Sequence, residues 1–579
     1  MPNVLTMPVC DSYTVKDILG HFVCAYQLDW VNVDRKELED AFDLMKDADS
    51  LGSIMRFEIS QNTREHLVEA VNVYDAEPKY AEAFKNLIDG FRLILALTEN
   101  YHALVMNPPY MGSGNMNSVL SKYVKDNYKA DKADLFSVFM QMGMERLVSN
   151  GKMAQINMQS WMFLSSFEKL RTQFLKDYNI DSMLHLGPRT FDELSGEVVQ
   201  NTAFVLSKHL PNEQGGVYYR LIDGKNCADK EQLFLLHIHW NEDGNSIYYP
   251  NVEQKNFEKI PGAPIGYWIG KNIFNIFAGN TPISNYSTAR SGFSTGNNEL
   301  FIRTWNEVSF KSIGLELKSN DEYIKSGLKY VPFTAGGSFR KWYGNQNNVV
   351  DWTCPEKMHR PRTTYMGLYF KPAITWNAIT SGILSCRAYG NGFLFEHAAA
   401  SLFVNEGYDS CYFLAYINTP VFRYLLKVLN PTLNNGAEVV SSVPIVFSDA
   451  DISCYVEENI AICKSDWDAH ETSWDFQRNE LLSIDTSTYM ENIDYKIEKH
   501  FEETGEHICI DPAAPQLGSL EWRMEQYKTK WERKFMQLHK NEKELNRQFI
   551  DIYGLQDELT PDVPLNEITI LQQGEISIE

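Results

Sequence analysis

The chain has 579 residues, of which 44% are hydrophobic, 13% aromatic and 22% charged, with a formal net charge of −23. That length sets an expectation of about three to four domains at roughly 150 residues each, and the balanced composition excludes a disordered, collagenous or low-complexity protein. No run approaches the roughly 18 uncharged apolar residues of a membrane span, and the opening MPNVLTMPVCDSYTVKD has no basic region ahead of an apolar core. A soluble cytoplasmic protein with no membrane association is expected.

The nine cysteines are scattered without a CxxC pair, which favours buried reduced thiols over structural zinc. Charge is unevenly spread. Residues 1–260 carry −11, residues 261–450 carry +4 (16 basic, 12 acidic), and residues 451–579 carry −16 (12 basic, 28 acidic). A basic middle segment between acidic flanks can hold a nucleic-acid face, because attraction to phosphate depends on the local field and not on the sum.

The first hundred residues read mostly as helix. Lys36 to Met45 is acidic and amphipathic, and Lys79 to Leu97 places Tyr80, Phe84, Leu87, Ile88, Phe91 and Leu95 at helical spacing. The period then changes. His102 to Met106 is a short apolar run ended by Asn-Pro-Pro, which predicts a buried strand meeting a rigid loop. A helix near Asp134 to Val148, a turn at Asn150-Gly151, and a strand near Met153 to Asn157 follow. Next come a helix from Phe163 to Lys176 and strands near Ser182 to Leu186 and Thr202 to Leu206. This alternation predicts a parallel α/β sheet covered on both faces. It stops near residue 260, where a Gly-, Asn-, Tyr- and Trp-rich stretch predicts a separate α+β domain over 261–450. In the helical region 451–579, Leu520, Met524, Tyr527, Trp531, Phe535, Leu538, Leu545, Phe549 and Ile552 form one stripe closed by a C-cap Gly554.

Asn107-Pro108-Pro109-Tyr110 directly follows the predicted strand. In an open α/β sheet, ligands bind beyond the carboxyl ends of strands. The two prolines fix the backbone and remove two N–H donors, so local carbonyls remain available as acceptors. Together the Asn107 amide oxygen and the Pro108 carbonyl can accept both hydrogens of a planar amino group, which pushes its nitrogen toward tetrahedral geometry and frees the lone pair. Tyr110 offers a face on which a ring can stack, and Pro109 shapes the loop. The plainer reading is a rigid strand-to-loop turn with a buried aromatic.

NPPY after a buried strand resembles the signature of S-adenosylmethionine-dependent amino-group methyltransferases, chiefly those acting on adenine in DNA. The resemblance extends through NPPYMGSGNMN, KADLFSVFM, QSWMFLSSFEKLR and LGPRTFDELSGEVVQNTAFVL, which are similar to successive blocks of PglX-type methyltransferases of bacteriophage-exclusion (BREX) systems. GFSTGNNELFIRTW, VPFTAGGSFRKWYGN, ITWNAITSG and LNPTLNNG resemble that family's target-recognition region, and ETSWDF and NEKELNRQFIDIYGLQDEL its C-terminal segment. The resemblance implies an α/β protein: an incomplete Rossmann-like methyltransferase domain (1–260), an α+β DNA target-recognition domain (261–450) and a helical C-terminal region (451–579).

It further implies methyl transfer from S-adenosylmethionine to the exocyclic amine of an adenine flipped out of duplex DNA. Asn107, Pro108, Pro109 and Tyr110 would then be catalytic, and no metal would be needed. One departure stands out: the glycine-rich cofactor block resembling DPACGSG is absent from the 106 residues before Asn107. The chain is therefore expected to begin inside its methyltransferase domain and to be incomplete alone, with an upstream N-terminal fragment or other defence-system subunits as partners.

For DNA, Arg340, Lys341, Trp342 and Tyr343 follow Gly336-Gly337 and set cations beside aromatics on a permissive backbone, suited to phosphates and stacked bases. Arg303, Asn345, Asn377 and Arg387 are polar enough for base edges. Read plainly, Trp342, Trp352 and Trp376 are core aromatics and Arg340 is solvated. No nuclease motif, HExxH or Walker-type loop is present, and the histidines are dispersed. Two alternatives to the methyltransferase reading are the modification part of a type II restriction-modification enzyme and a non-catalytic DNA-binding subunit of a defence complex.

Overall fold

The amphipathic stretches of the first hundred residues form helices Arg35–Leu44 and Ala81–Thr98, joined by Ser12–Ala25 and Gln61–Ala76. Their apolar faces meet in one core containing Phe22, Leu38, Phe42, Leu67, Leu87, Ile88 and Phe91. Gly90 is required there, since a Cβ would lie 2.5 Å from the Phe42 ring. The computed structural model describes residues 5, 7–8, 12–30, 35–77, 81–129, 132–191, 199–238, 247–380, 382–430, 434–509 and 519–571. Cys10, residues 192–198 of the LGPRTFDELSGEVVQNTAFVL block and residues 431–433 of LNPTLNNG lie outside the described residues. Among the described residues no cysteine is in a disulfide.

The chain divides into two compact units, Met1–Trp268 and Ile269–Glu579. In the first, β1 (Tyr101–Met106), β2 (Leu147–Met158), β3 (Asn179–Gly187), β4 (Asn201–Ser207), β5 (Gly216–Arg220) and β6 (Tyr248–Val252) form a sheet in the order β1-β2-β4-β3-β5-β6. The expected all-parallel sheet is corrected. β1 with β2 and β3 with β5 are parallel, but β4 runs antiparallel to both β2 and β3, and β6 antiparallel to β5. Alternating helix and strand patterns reveal that elements exist, not which way each strand runs. The expected Asn150-Gly151 turn is also corrected. Those residues interrupt β2 internally, with Asn150 at φ 64°, and Gly151 leaves no room for a Cβ, which would sit 2.9 Å from the Val148 carbonyl oxygen.

Along β2 and β4 the two faces differ. Met153, Gln155 and Asn157 are buried with Phe204 and Leu206, under helix Leu135–Glu145, where Gln155 Nε2 donates to the Phe136 carbonyl at 3.1 Å. On the other face Ala154, Ile156, Ala203 and Val205 are only half-buried.

The second unit holds two four-stranded sheets. Its strands are β7 (Ser287–Arg290), β8 (Ile302–Thr304), β9 (Tyr330–Thr334), β10 (Asn348–Asp351), β11 (Ala373–Asn377), β12 (Cys386–Tyr389), β13 (Leu394–Phe395) and β14 (Ala399–Val404). They are ordered β13-β9-β10-β8 and β12-β11-β14-β7. Residues 451–579, expected as a region of their own, belong to this same unit: helices Ser453–Asp468 and Leu520–Tyr553 pack on each other and on the helices after β14.

The long helix ends at Gly554 in the left-handed region, φ 64°, as its sequence predicts. Its buried face is rotated from the apolar stripe, however. Leu520 is 70% exposed, whereas Gln526, Asn541, Glu542 and Asn546 are buried. Among the described residues no helix is long and apolar enough to cross a membrane.

Candidate active site

The β1 strand delivers Asn107-Pro108-Pro109-Tyr110 to the sheet rim formed by the carboxyl ends of β1, β2 and β3, which antiparallel β4 enters with its first residue, Asn201, opposite Met158 and Gly187. Asn107 is exposed, Pro108 buried and Tyr110 half-buried. Asn201, fully buried, donates its side-chain amide to Tyr110 Oη at 3.0 Å and to the Asn157 carbonyl at 3.3 Å. The Tyr110 ring meets Phe136 edge-on at 6.3 Å. Burial raises the phenol pKa, partly offset by the Asn201 hydrogen bond, so the ring is neutral at physiological pH.

Beyond the tetrapeptide, Asp134 fixes the loop. Its Oδ1 accepts the Met111 N–H at 3.0 Å and, as the N-cap of helix Leu135–Glu145, the Phe136 N–H at 3.2 Å. The Leu135 N–H donates to the Met111 carbonyl and the Ser113 N–H to the Ala133 carbonyl, each at 3.0 Å. Burial raises the Asp134 carboxyl pKa, against the backbone N–H groups that lower it.

Next along the rim, Gln159 donates to Gln200, and its Oε1 lies 2.7 Å from His185 Nε2, which therefore carries the proton; His185 Nδ1 then accepts from Tyr267 Oη at 3.0 Å. Burial, with the charges of Arg220 and Lys230, holds His185 down to about 3, so the ring is neutral. Sequence reasoning missed Asp134, Asn201, Gln159 and His185 because their partners are distant in the chain. The one local signal was Asp134 before an apolar helical run.

Of the rim residues named above, Asp134 is the one carboxylate that could meet S-adenosylmethionine, and it is only partly available. A ribose diol needs a free carboxylate, and Asp134 already spends Oδ1 on two backbone donors. Among the described residues no group of His, Cys, Asp or Glu could hold a metal ion.

The basic cluster expected to face DNA is turned inward. Arg340, Lys341 and Trp342 are 1%, 3% and 1% exposed. Arg340 pairs with Asp466 at 3.2 Å and stacks over Trp467 at 5.0 Å. Glu542 accepts from Lys341 Nζ at 2.6 Å and, on its other oxygen, from Trp342 Nε1 at 2.7 Å. The DNA-contact expectation for these three is corrected: their counter-charges come from the acidic C-terminal helices, and a cation consumed in a buried pair is not offered to phosphate.

Asn345 and Ser338 bond across their turn, leaving Asn345 buried. Arg387 is buried against the Ala335 carbonyl at 3.0 Å. Asn377 donates to the Gly337 carbonyl at 2.8 Å. Half-buried Tyr343 lies 5.1 Å from Lys464 Nζ. Gly336 is half-buried and Gly337 exposed, and Arg303 caps the carbonyls of Glu299 and Ile302 at 2.6 Å. Trp352 and Trp376 are core residues.

A second basic group is open to solvent. Arg290 and Arg360 are exposed and Arg362 is half-buried. The guanidinium carbons of Arg290 and Arg362 lie 6.0 and 5.9 Å from the Tyr365 ring, and the Arg360 backbone pairs with Ser294 beside them.

Residues 29–191 match the Eco57I restriction-modification methylase family. The chain is 34% identical over 591 aligned positions to the adenine-specific methyltransferase PglX of Lacticaseibacillus casei (strain Zhang), covering 98% of this chain and 46% of that protein. It is 32% identical over 406 positions to the adenine-specific methyltransferase BrxX of Escherichia coli O9:H4 (strain HS), covering 69% of this chain and 32% of that protein. The DNA complex of the type IIL restriction-modification enzyme MmeI is a distant structural neighbour, at 11% identity and a TM-score of 0.39 over 74% of this chain and 57% of that one. The chain is thus similar to the PglX and BrxX adenine-specific methyltransferases, the stretch that matches the Eco57I methylase family includes Asn107 to Tyr110, and the chain spans about half or less of those relatives' length.

Proposed function

We propose that this chain carries the amine-acceptor side of a site-specific DNA adenine methyltransferase acting in phage defence. The observation that carries the reading is the exposed Asn107 at the carboxyl end of β1 beside a Tyr110 whose hydroxyl is held by Asn201. S-adenosylmethionine supplies the methyl group in such enzymes.

The residues of this chain act on the acceptor. The Asn107 side-chain oxygen and the Pro108 carbonyl accept the two hydrogens of the adenine 6-amino group, concentrating electron density on its nitrogen. Tyr110, edge-packed on Phe136, offers its face to the flipped ring. Neutral His185 and the Gln159 amide brace the neighbouring strand ends without supplying charge.

With Arg340 and Lys341 consumed in buried pairs, phosphate contacts in this reading fall to Arg290, Arg360 and Arg362 around Tyr365. Methyl transfer to duplex DNA by the complemented or full-length form, measured for the wild type and Asn107→Ala, tests the proposal. The variant should lose transfer while DNA affinity stays within about twofold, because the removed group touches the reacting amine and not the backbone phosphates.

A further inference from the structure

Strand β7 begins at a group of aromatic rings that the fold leaves on the surface of the second unit. Tyr408 and Phe447 are 44% and 42% exposed, and they stack at 5.7 Å with 27° between their planes. Tyr286, just before β7, meets both edge-on at 5.0 Å. The group is held from beneath. Phe447 rests on buried Tyr412 and Phe413 at 5.5 and 5.9 Å, and Tyr412 Oη donates to the Val446 carbonyl at 2.7 Å. The Asn405 N–H donates to the Tyr286 carbonyl at 2.9 Å, which pins the Tyr408 loop to the start of β7. A ligand on these rings has little left to order.

The charge around them is of one sign. Residues 281–288, 404–411 and 446–457, which build the group, hold Glu406, Asp409, Asp449, Asp451 and Glu457 and no lysine, arginine or histidine. Asp409 is used locally, accepting the Cys411 N–H at 2.9 Å and the Ser453 hydroxyl. The other four are exposed, and among the described residues none of them enters an ion pair. Burial, then Asp409 and Glu457, push the Cys411 thiol up to about 11, so the negative field reaches the base of the group. Exposed Arg290 stands at the opposite end of β7, paired with Ser401 where Ser287 is paired with Val404.

Open aromatic faces in a negative field suit a planar, weakly hydrated cation and repel nucleic acid. We infer that Tyr286, Tyr408 and Phe447 form a docking site for arginine side chains of a positively charged segment of a partner protein. Its guanidinium groups lie on the ring faces, while Glu406, Asp449 and Asp451 steer its approach. The site takes no part in methyl transfer, so its loss would leave the proposed role of Asn107 untouched.

The test places para-fluorophenylalanine at position 447 of the full chain and follows its fluorine resonance as an amidated peptide of alternating arginine and glycine is added. The resonance should shift saturably, with an affinity that falls as salt rises. The lysine counterpart should bind more weakly, because an ammonium does not stack on a ring as a guanidinium does. Tyr408→Ser should weaken binding about threefold, and Asp449→Asn combined with Asp451→Asn about fivefold. The aspartate pair is exposed, so its variant tests the site with the ring packing intact even where Tyr408→Ser disturbs the loop. The inference is overturned by no saturable shift, by a lysine peptide bound as tightly, or by affinity indifferent to the aspartate pair. It is overturned equally if duplex DNA produces the same shift, or if the chain self-associates through Tyr408, which would make a second copy the occupant.

Discussion

Asn201 and Tyr110 are 91 positions apart, yet the side-chain amide of the first donates to the phenol oxygen of the second at 3.0 Å. The bond ties the start of β4 to the loop after β1 and fixes the tyrosine ring at the rim. Replacing Asn201 by Ala removes the donor while burial persists, so the Tyr110 phenol should titrate higher still, because that hydrogen bond is what offsets burial. A fluorine-labelled tyrosine at position 110, titrated by NMR, would check this. An unchanged titration would mean that the bond does not form in solution.

The buried pair between Lys341 and Glu542 makes a second prediction. Glu542→Ala leaves a buried ammonium with the more distant Glu567 carboxylate at 3.9 Å and strands the Trp342 N–H, and should cost about 3 kcal/mol. Lys341→Met combined with Glu542→Gln removes both charges but keeps an acceptor for Trp342 Nε1, so it should cost far less. Urea unfolding of the three proteins measures the difference. Equal losses would mean that the carboxylate serves packing and not charge.

His185 gives stability a pH dependence of known sign. Its folded-state pKa is held down to about 3, below the ordinary 6.5, so the neutral ring contributes in full above pH 6.5 and that contribution is lost as pH falls toward 3. His185→Gln should therefore flatten the stability profile between those values. Denaturation midpoints at pH 7 and pH 4 for the variant and the wild type would show it. An identical pH slope in the two proteins would place the acid sensitivity elsewhere.

The basic group around Tyr365 yields a contrast in DNA binding. Reversing Arg360 and Arg362 to Glu should weaken binding to all duplex sequences and make its salt dependence shallower, by about 0.9 in log–log slope for each phosphate no longer neutralised. Arg340→Glu should instead appear as a loss of stability, since its partner Asp466 is as buried as Arg340 itself. Salt titrations of duplex binding, read beside unfolding curves, separate the two. A shallower slope for a well-folded Arg340→Glu would return the DNA face to residues 336–345.

The sequence shows some of these features more readily than others. Asn107 to Tyr110 is legible because a strand, two prolines and an aromatic are all local. Gly554 is legible because a glycine after an apolar stripe is a local stop signal, and the structure puts it in the left-handed region. The role of Arg340, Lys341 and Trp342 is not legible, because it depends on Asp466 and Glu542 arriving from more than a hundred residues away. The same distance hides the register of the long helix: Glu542 and Asn541 are buried since they have partners, while apolar Leu520 is exposed. The direction of β4 is hidden for another reason, as alternation of apolar residues is identical in parallel and antiparallel strands.

The most direct test of the central claim is a map of methylated adenines in the genomic DNA of cells carrying the native gene, compared with cells in which only Asn107 is changed to Ala. The account predicts 6-methyladenine at one defined sequence in the first and its loss in the second, with the protein present at equal abundance. Methylation at that sequence undiminished by Asn107→Ala would contradict it.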